Sequence, residues 1–171
     1  MLFRSTFGYS FTTWRLHLRG ETIRGGQDVG WLRDLTVGRM MVRSPPVFSA
    51  DRSVRAFRDA HPVGSANVVV AIGEDGRYKG VIHVAEAHAL PLENGDDGGP
   101  VSAVAHAPAT VLHPDQDIGV ALEAFETAHA DTLAVTARGT DQVLGTLGEA
   151  YAARRYAQET NLTMKGVLGG G

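Results

Sequence analysis

The chain has 171 residues, 43% of them hydrophobic and 20% charged, a globular composition sufficient for one or two small domains. It has no cysteine, which excludes disulfides, thiolate metal sites and cysteine nucleophiles. The net charge of −3 divides into +4 over residues 1–45, −9 over residues 46–150 and +2 from Tyr151 onward, and a basic leader on an acidic body does not suggest a nucleic-acid-binding core.

The leader, residues 1–34, interleaves Phe11, Trp14, Leu16 and Leu18 with Arg15, His17 and Arg19. Two readings stay open. One is an amphipathic connector whose aromatics rest on the domain. The other is a juxtamembrane segment with aromatics at headgroup depth and arginines on the cytoplasmic side. No apolar run approaches the ~18–20 residues of a membrane span, and Met1–Phe11 is too short and polar for a signal peptide.

Residues 35–90 read as a first repeat. Thr36–Met41 is a short connecting strand or turn, and Pro45-Pro46 breaks helix and sets up an extended Val47-Phe48. Ser49 or Asp51 is the expected cap of a helix over Arg52–Ala60, in which Val54 and Phe57 share one face. The β-branched run Val68–Ile72, the turn Glu74-Asp75-Gly76 and the apolar run Tyr78–His83 predict a hairpin, followed by an alanine-rich helix around Val84–Leu90. Pro91–Pro100 has two prolines, three glycines and three acidic groups, and reads as a flexible surface linker. Its adjacent Asp96 and Asp97 read as solvated rather than as metal ligands.

Residues 101–158 repeat the unit. Val101–Ala107 is an extended lead-in, and Pro108–Leu112 echoes Pro46-Val47-Phe48. Asp115 or Asp117 caps a helix with Ile118, Ala121, Leu122 and Phe125 at i, i+3, i+4 and i+7. Leu133–Val135, the turn Arg138–Gln142 and Val143–Leu147 give the second hairpin, followed by a helix over Glu149–Gln158. Residues 159–171 are expected to be a flexible tail. The offset between repeats is 64 residues at Asp51/Asp115 and 65 at Gly80/Gly145, which suggests one residue inserted in the helix-to-strand loop.

Each β-α-β-β-α unit is too small to close a core alone, so the fold class is α/β, with two repeats related by a pseudo-twofold axis. Val68–Val70 and Leu133–Val135 are expected near that axis, with two related clefts between the repeats. Apolar faces around Phe57 and Ile118–Phe125 suggest a homodimer.

The duplicated unit resembles, from Leu35 to about Tyr156, the tandem cystathionine-β-synthase-type (CBS) domain pair. The leader run Tyr9–Gly20, YSFTTWRLHLRG, looks like the end of the last membrane helix of CLC chloride channels and transporters, and Asp28–Trp31 with Leu35–Met41 is similar to the approach to their first CBS domain. Phe11 stands where that family often has a chloride-binding tyrosine, and Arg154-Arg155-Tyr156-Ala157 is similar to the family's exit. In ligand-binding CBS domains a G-h-h-S/T-x-x-D pattern ends the second hairpin strand; its Asp takes the ribose hydroxyls of an adenine nucleotide, and its Ser/Thr and helix start meet phosphate. Carried over, the first copy is Gly80–Glu86, with His83 for Ser/Thr and Glu86 for Asp. The second is Gly145–Tyr151, where Gly148 and Tyr151 lose both polar groups. The resemblance therefore implies one cleft, served by Glu86 and His83, with adenine edges on backbone near Thr132, Leu133 and Ala134. Tyr151 is assigned to packing. The other reading has both clefts degenerate.

The chain has no P-loop, G-x-S-x-G elbow or H-E-x-x-H. His83 and His88 lie about 140° apart on a helix and make no zinc pair. The expectation is a non-enzyme requiring no cofactor, with ATP, ADP or AMP as regulatory ligand. It would be the cytosolic regulatory part of a CLC-type transport protein, on the cytoplasmic face of the membrane and partnered by a transmembrane body. The alternatives are a free-standing CBS-pair sensor for another partner and a ligand-free dimerisation scaffold.

Overall fold

A computed structural model of the protein describes residues 34–169; the leader strip with Phe11, Trp14 and Arg15 lies outside the described residues. Residues 34–169 form two three-stranded sheets, each with its own helices. The first contains β2 (Val47–Ser49), β3 (Val68–Ile72) and β4 (Tyr78–His83), with α2 (Val54–Ala60) and α3 (Val84–Ala89). β2 runs parallel to β3, and β3 pairs antiparallel with β4 from Val68↔His83 to Ile72↔Tyr78. The second contains β1 (Val42–Arg43), β6 (Val143–Gly148) and β5 (Thr132–Thr136), with α4 (Ile118–Ala128) and α5 (Glu149–Leu168). Leu112 bridges parallel to Val135 as β2 does to β3, completing the repeat.

The caps fall where an oxygen acceptor meets a free helix N–H. Asp117 accepts from Val120 N–H at 3.0 Å, as one of the two expected aspartates should. In the first repeat Ser53 accepts from Ala56 N–H at 3.2 Å, and neither Ser49 nor Asp51 is the cap. Ser49 still belongs to β2, and the chain must turn before the helix can begin.

The strand registers also relocate the extra residue of the second repeat. Val68↔His83 corresponds to Thr132↔Gly148, and Ala71↔Gly80 to Val135↔Gly145. The 64-residue offset thus holds through β5, and the extra residue sits in the hairpin turn, not in the helix-to-strand loop. α4 is longer than α2, and its shorter exit loop compensates.

The segment before each repeat packs on the opposite repeat. Leu35, Val37 and Met40, the last two in α1 (Val37–Met40), join Leu112, Ile118, Phe125 and Leu133 in the second core. Reciprocally, Val101, at the start of a 3₁₀ turn over Val101–Val104, joins Phe48, Phe57 and Ile82 in the first. The bonding is matched as well. Ile118 N–H donates to Leu35 O and Val54 N–H to Gly99 O, both at 3.0 Å. Within Thr36–Met41, read as a connecting strand or turn, Val37–Met40 forms a single helical turn after the bridge Thr36↔Asp117, and Leu35–Arg43 serve the second half of the molecule. Val101–Ala107 is likewise no extended lead-in but a helical turn followed by the bridge Val81↔His106.

Two glycines permit the crossing. A Cβ on Gly80, at φ +150°, would lie 2.7 Å from Ala105 Cβ; one on Gly145 would lie 2.6 Å from the Val42 carbonyl oxygen. Here the repeated glycine makes room for a backbone from the other side.

The interval Pro91–Pro100 is pinned, contrary to its reading as a flexible linker. Arg55 donates to the carbonyls of Glu93 and Asp96, Arg55 N–H donates to Asp97 O at 3.1 Å, and Leu92 packs against the first core. The orphan N–H groups at the start of α2 need acceptors, and a glycine-rich chain can turn its carbonyls toward them. The tail also differs from expectation: α5 continues to Leu168, carrying exposed Leu162 and Met164.

Val69, Val70, Leu133, Ala134 and Val135 are fully buried, with Val68 half-buried. Val70, Tyr78, Val81 and Ala134 make a third apolar cluster between the two sheets. Phe57, Ile118 and Phe125 are fully buried within the single chain, so the faces that suggested a homodimer are already covered.

Gly145→Ala forces its methyl against backbone and should cost about 1–3 kcal/mol, read as a lowered urea midpoint. Thr136 is fully buried, and its hydroxyl has no hydrogen-bond partner. Thr136→Val keeps the shape and removes an unsatisfied group, so it should raise stability by about 1 kcal/mol in the same assay.

Candidate functional site

β4 ends at His83 and α3 begins one residue later, at the seam between the two halves. The His83 side chain does not cap α3. Its Nε2 lies instead 3.2 Å from Asp131 Oδ1 in the second half. Asp131 is fixed by its backbone: α4 ends in a left-handed residue, His129 at φ 50°, and the Asp131 carbonyl then accepts from Glu149 N–H at 2.8 Å.

Glu86 lies in the first turn of α3, and its Oε2 accepts from His106 Nε2 at 2.6 Å. His106 is held by two backbone bonds to Val81, of 2.7 and 2.9 Å, in the crossing permitted by Gly80. Its ring meets that of His83 edge-to-face, with centroids 5.2 Å apart. Asp131, His83, His106 and Glu86 thus form one line of contacts across the seam, polar at both ends and ring-to-ring in the middle. His83 is the least exposed side chain of the four, at 20%, against 45% for Glu86, 49% for His106 and 70% for Asp131.

The electrostatics favour an ion pair at one end of this line. The hydrogen bond to Asp131 raises the His83 pKa above 6.5, outweighing the burial that opposes its charge. The same bond to His83 lowers Asp131 below 3.8, with a further hydrogen bond from the Thr132 side chain.

Of the residues expected at the site, the structure brings Glu86 and His83 to one seam, with Thr132 at its margin beside Asp131. Leu133 and Ala134 lie deeper. Both are fully buried, Leu133 in the second core and Ala134 between the sheets, and the Ala134 carbonyl already accepts from Leu112 N–H at 2.8 Å. Asp131 and His106 were missed. The 64-residue offset contained the signal, since it aligns Asp131 with Asn67 and His106 with Val42; what hid it was the crossing that places His106 over the opposite repeat.

The related seam is different. Gly148 stands for His83, Tyr151 for Glu86, Val42 for His106 and Asn67 for Asp131. Asn67 O accepts from Val84 N–H, as Asp131 O does from Glu149 N–H. Tyr151 is 43% exposed, so it is not the packing residue it was expected to be. Every ionisable group of the four positions except the tyrosine hydroxyl lies in one seam.

Among the described residues no helix is long and apolar enough to cross a membrane, and no three His, Asp or Glu side chains form a group able to hold a metal ion.

The raised His83 pKa contributes stability below pH 6.5 that is lost as the pH rises through its folded value. The lowered Asp131 pKa contributes above pH 3.8 and is lost as the pH falls through its own. The contact therefore stabilises the fold mainly between those limits. Asp131→Asn should lower the urea midpoint more at pH 5 than at pH 8.5; equal losses at both would mean that His83 carries no added charge in the fold.

No sequence-family model matches the chain, and no curated protein matches it in sequence. Solved structures do. It is similar to a CBS domain pair/ACT domain protein from Thermotoga maritima, at 16% identity and a TM-score of 0.56, covering 73% of this chain and 98% of that one. It is also similar to the CBS domain of a bacterial CNNM/CorC family Mg2+ transporter solved with ATP, at 13% identity and a TM-score of 0.60, covering 71% and 86%. A third similar structure is CBSX2 in complex with AMP, at 18% identity and a TM-score of 0.57, covering 74% and 98%. At these identities the likeness shows the fold, that of a CBS domain pair.

Proposed function

We propose that this CBS pair is a non-catalytic regulatory module that takes one adenine nucleotide at the seam of Glu86 and His83. The observation that carries the reading is the asymmetry of the two seams. Glu86 presents a half-exposed carboxylate beside the imidazoles of His106 and His83, while the other seam has tyrosine, glycine, valine and asparagine. A carboxylate accepts from both hydroxyls of a ribose, which Tyr151 does not. Two structures of the same fold were solved with ATP and with AMP, which supports the ligand class.

The partner proposed for the module is the transmembrane body of a CLC-type chloride transport protein, with the pair on its cytoplasmic face. The support is the Tyr9–Gly20 run. A free-standing sensor for another partner fits the fold equally well, and a reading frame of apolar helices adjoining this one in the genome would decide between them. Self-association into a homodimer belongs to the same proposal, and its support moves to the exposed Tyr151, Leu162 and Met164 of α5.

Calorimetry with ATP, ADP and AMP tests the site. One nucleotide per chain is expected, bound weakly. Loss of one of the usual polar partners costs about 1–3 kcal/mol and moves a micromolar site toward millimolar. Glu86→Ala should abolish the heat and Tyr151→Ala should leave it. Two sites per chain, or binding that survives Glu86→Ala, would overturn the assignment.

A further inference from the structure

The nucleotide reading of the seam has a consequence for its regulation, and the inference here rests on that reading. Glu86 Oε2 already accepts a hydrogen bond from His106 Nε2 at 2.6 Å. This is the carboxylate a ribose diol would need, and the imidazole N–H sits where a hydroxyl would donate. We propose that His106 is a built-in competitor for the ligand, an intramolecular donor that keeps Glu86 occupied until a diol displaces it.

Three observations support a competitor rather than a fixed strut. The His106 backbone is anchored independently of its side chain, by both bonds to Val81, so the ring can leave Glu86 by rotating its own torsions without moving the crossing segment. The side chain is 49% exposed, so space for that rotation is open to solvent. His83, the neighbouring donor, is committed elsewhere, to Asp131 at 3.2 Å, and its ring meets His106 only edge-to-face. The related seam shows what the arrangement lacks without the device, since the position equivalent to His106 is Val42, 65% exposed, with no group that could occupy a carboxylate.

Glu86 from α3 bonds the His106 ring, and His83 from the end of β4 meets it edge-to-face.

The experiment is AMP binding by calorimetry to the full chain and to His106→Ala and His106→Asn. Asparagine keeps a polar group but is too short to reach Glu86. Removing a donor bound to a carboxylate should tighten AMP binding about tenfold or more in both variants. A second readout needs no ligand: the His106 ring resonances should move in Glu86→Gln, and in the unmodified chain should move the same way when AMP is added. Binding that is unchanged or weaker in both variants would overturn the competitor and leave the nucleotide site standing. Absence of AMP heat in the unmodified chain and in both variants would overturn the site and the competitor together. Unfolding curves of the variants, expected to match the unmodified chain because the Val81 bonds are backbone bonds, separate loss of binding from loss of fold.

Discussion

The close approach of two backbones at Gly80 and Gly145 is the constraint on which the molecule depends. Each glycine lies in the second hairpin strand of one repeat and lets the segment that precedes the other repeat cross it at a distance no side chain would tolerate. At Gly145 the visiting strand is β1; at Gly80 it is the His106 bridge. Once the crossings are made, Val37 and Val101 fall into opposite cores, and the carbonyls of Leu35 and Gly99 reach the starts of α4 and α2. Neither half then has a complete core or fully bonded helix start without a piece supplied from ahead of the other. The halves are joined by backbone hydrogen bonds as well as apolar contact, and these fix register where burial alone would let sheets slide.

The same crossings determine what reaches the seams. Gly80 admits a segment carrying His106, and Gly145 admits one carrying Val42. A symmetric scaffold thereby acquires an asymmetric pair of surfaces. One has a line of four polar side chains ending in the His83–Asp131 ion pair, and the other has a glycine, an exposed tyrosine, an exposed valine and Asn67. Four positions decide the difference, and none belongs to a buried core. The scaffold can therefore keep its packing while the seams diverge in chemistry.

Much of this was legible in the chain. The hairpins at 68–83 and 132–148 were announced by β-branched runs around Asp-Gly and Gly-Thr turns, and the burial of Val54, Phe57, Ile118 and Phe125 by helical spacing. Those signals are local, and local signals survive into the fold. The ownership of Leu35–Arg43 and of Val101–His106 was not legible, because sequence adjacency assigns a segment to its neighbour while the crossing assigns it to the other half. The interval at 91–100 misled for a related reason. Its composition describes what its own side chains can bury, but it is held by its carbonyls, which have no sequence signature. At the site, Glu86 and His83 could be reached through the repeat, whereas Asp131 and His106 required knowing which segments face each other in space.

The ownership of the first segment bears on how a ligand could be felt by a partner. Residue 34 is followed directly by Leu35, Val37 and Met40, which are buried in the second half, and by β1, which pairs with β6. The described chain therefore enters through the second half, although sequence order would join it to the first. Glu86 belongs to the first half, and the segment bearing His106, bonded to β4, leads on into the second. A ligand can shift the arrangement of the two halves only by the difference in its affinity for the arrangements. A group bound at this seam acquires such a difference by touching residues that move with different halves. Displacement at Glu86 changes a contact of the crossing segment itself, the piece of backbone that ties the first sheet to the second. The seam lies where the second half is tied to the first.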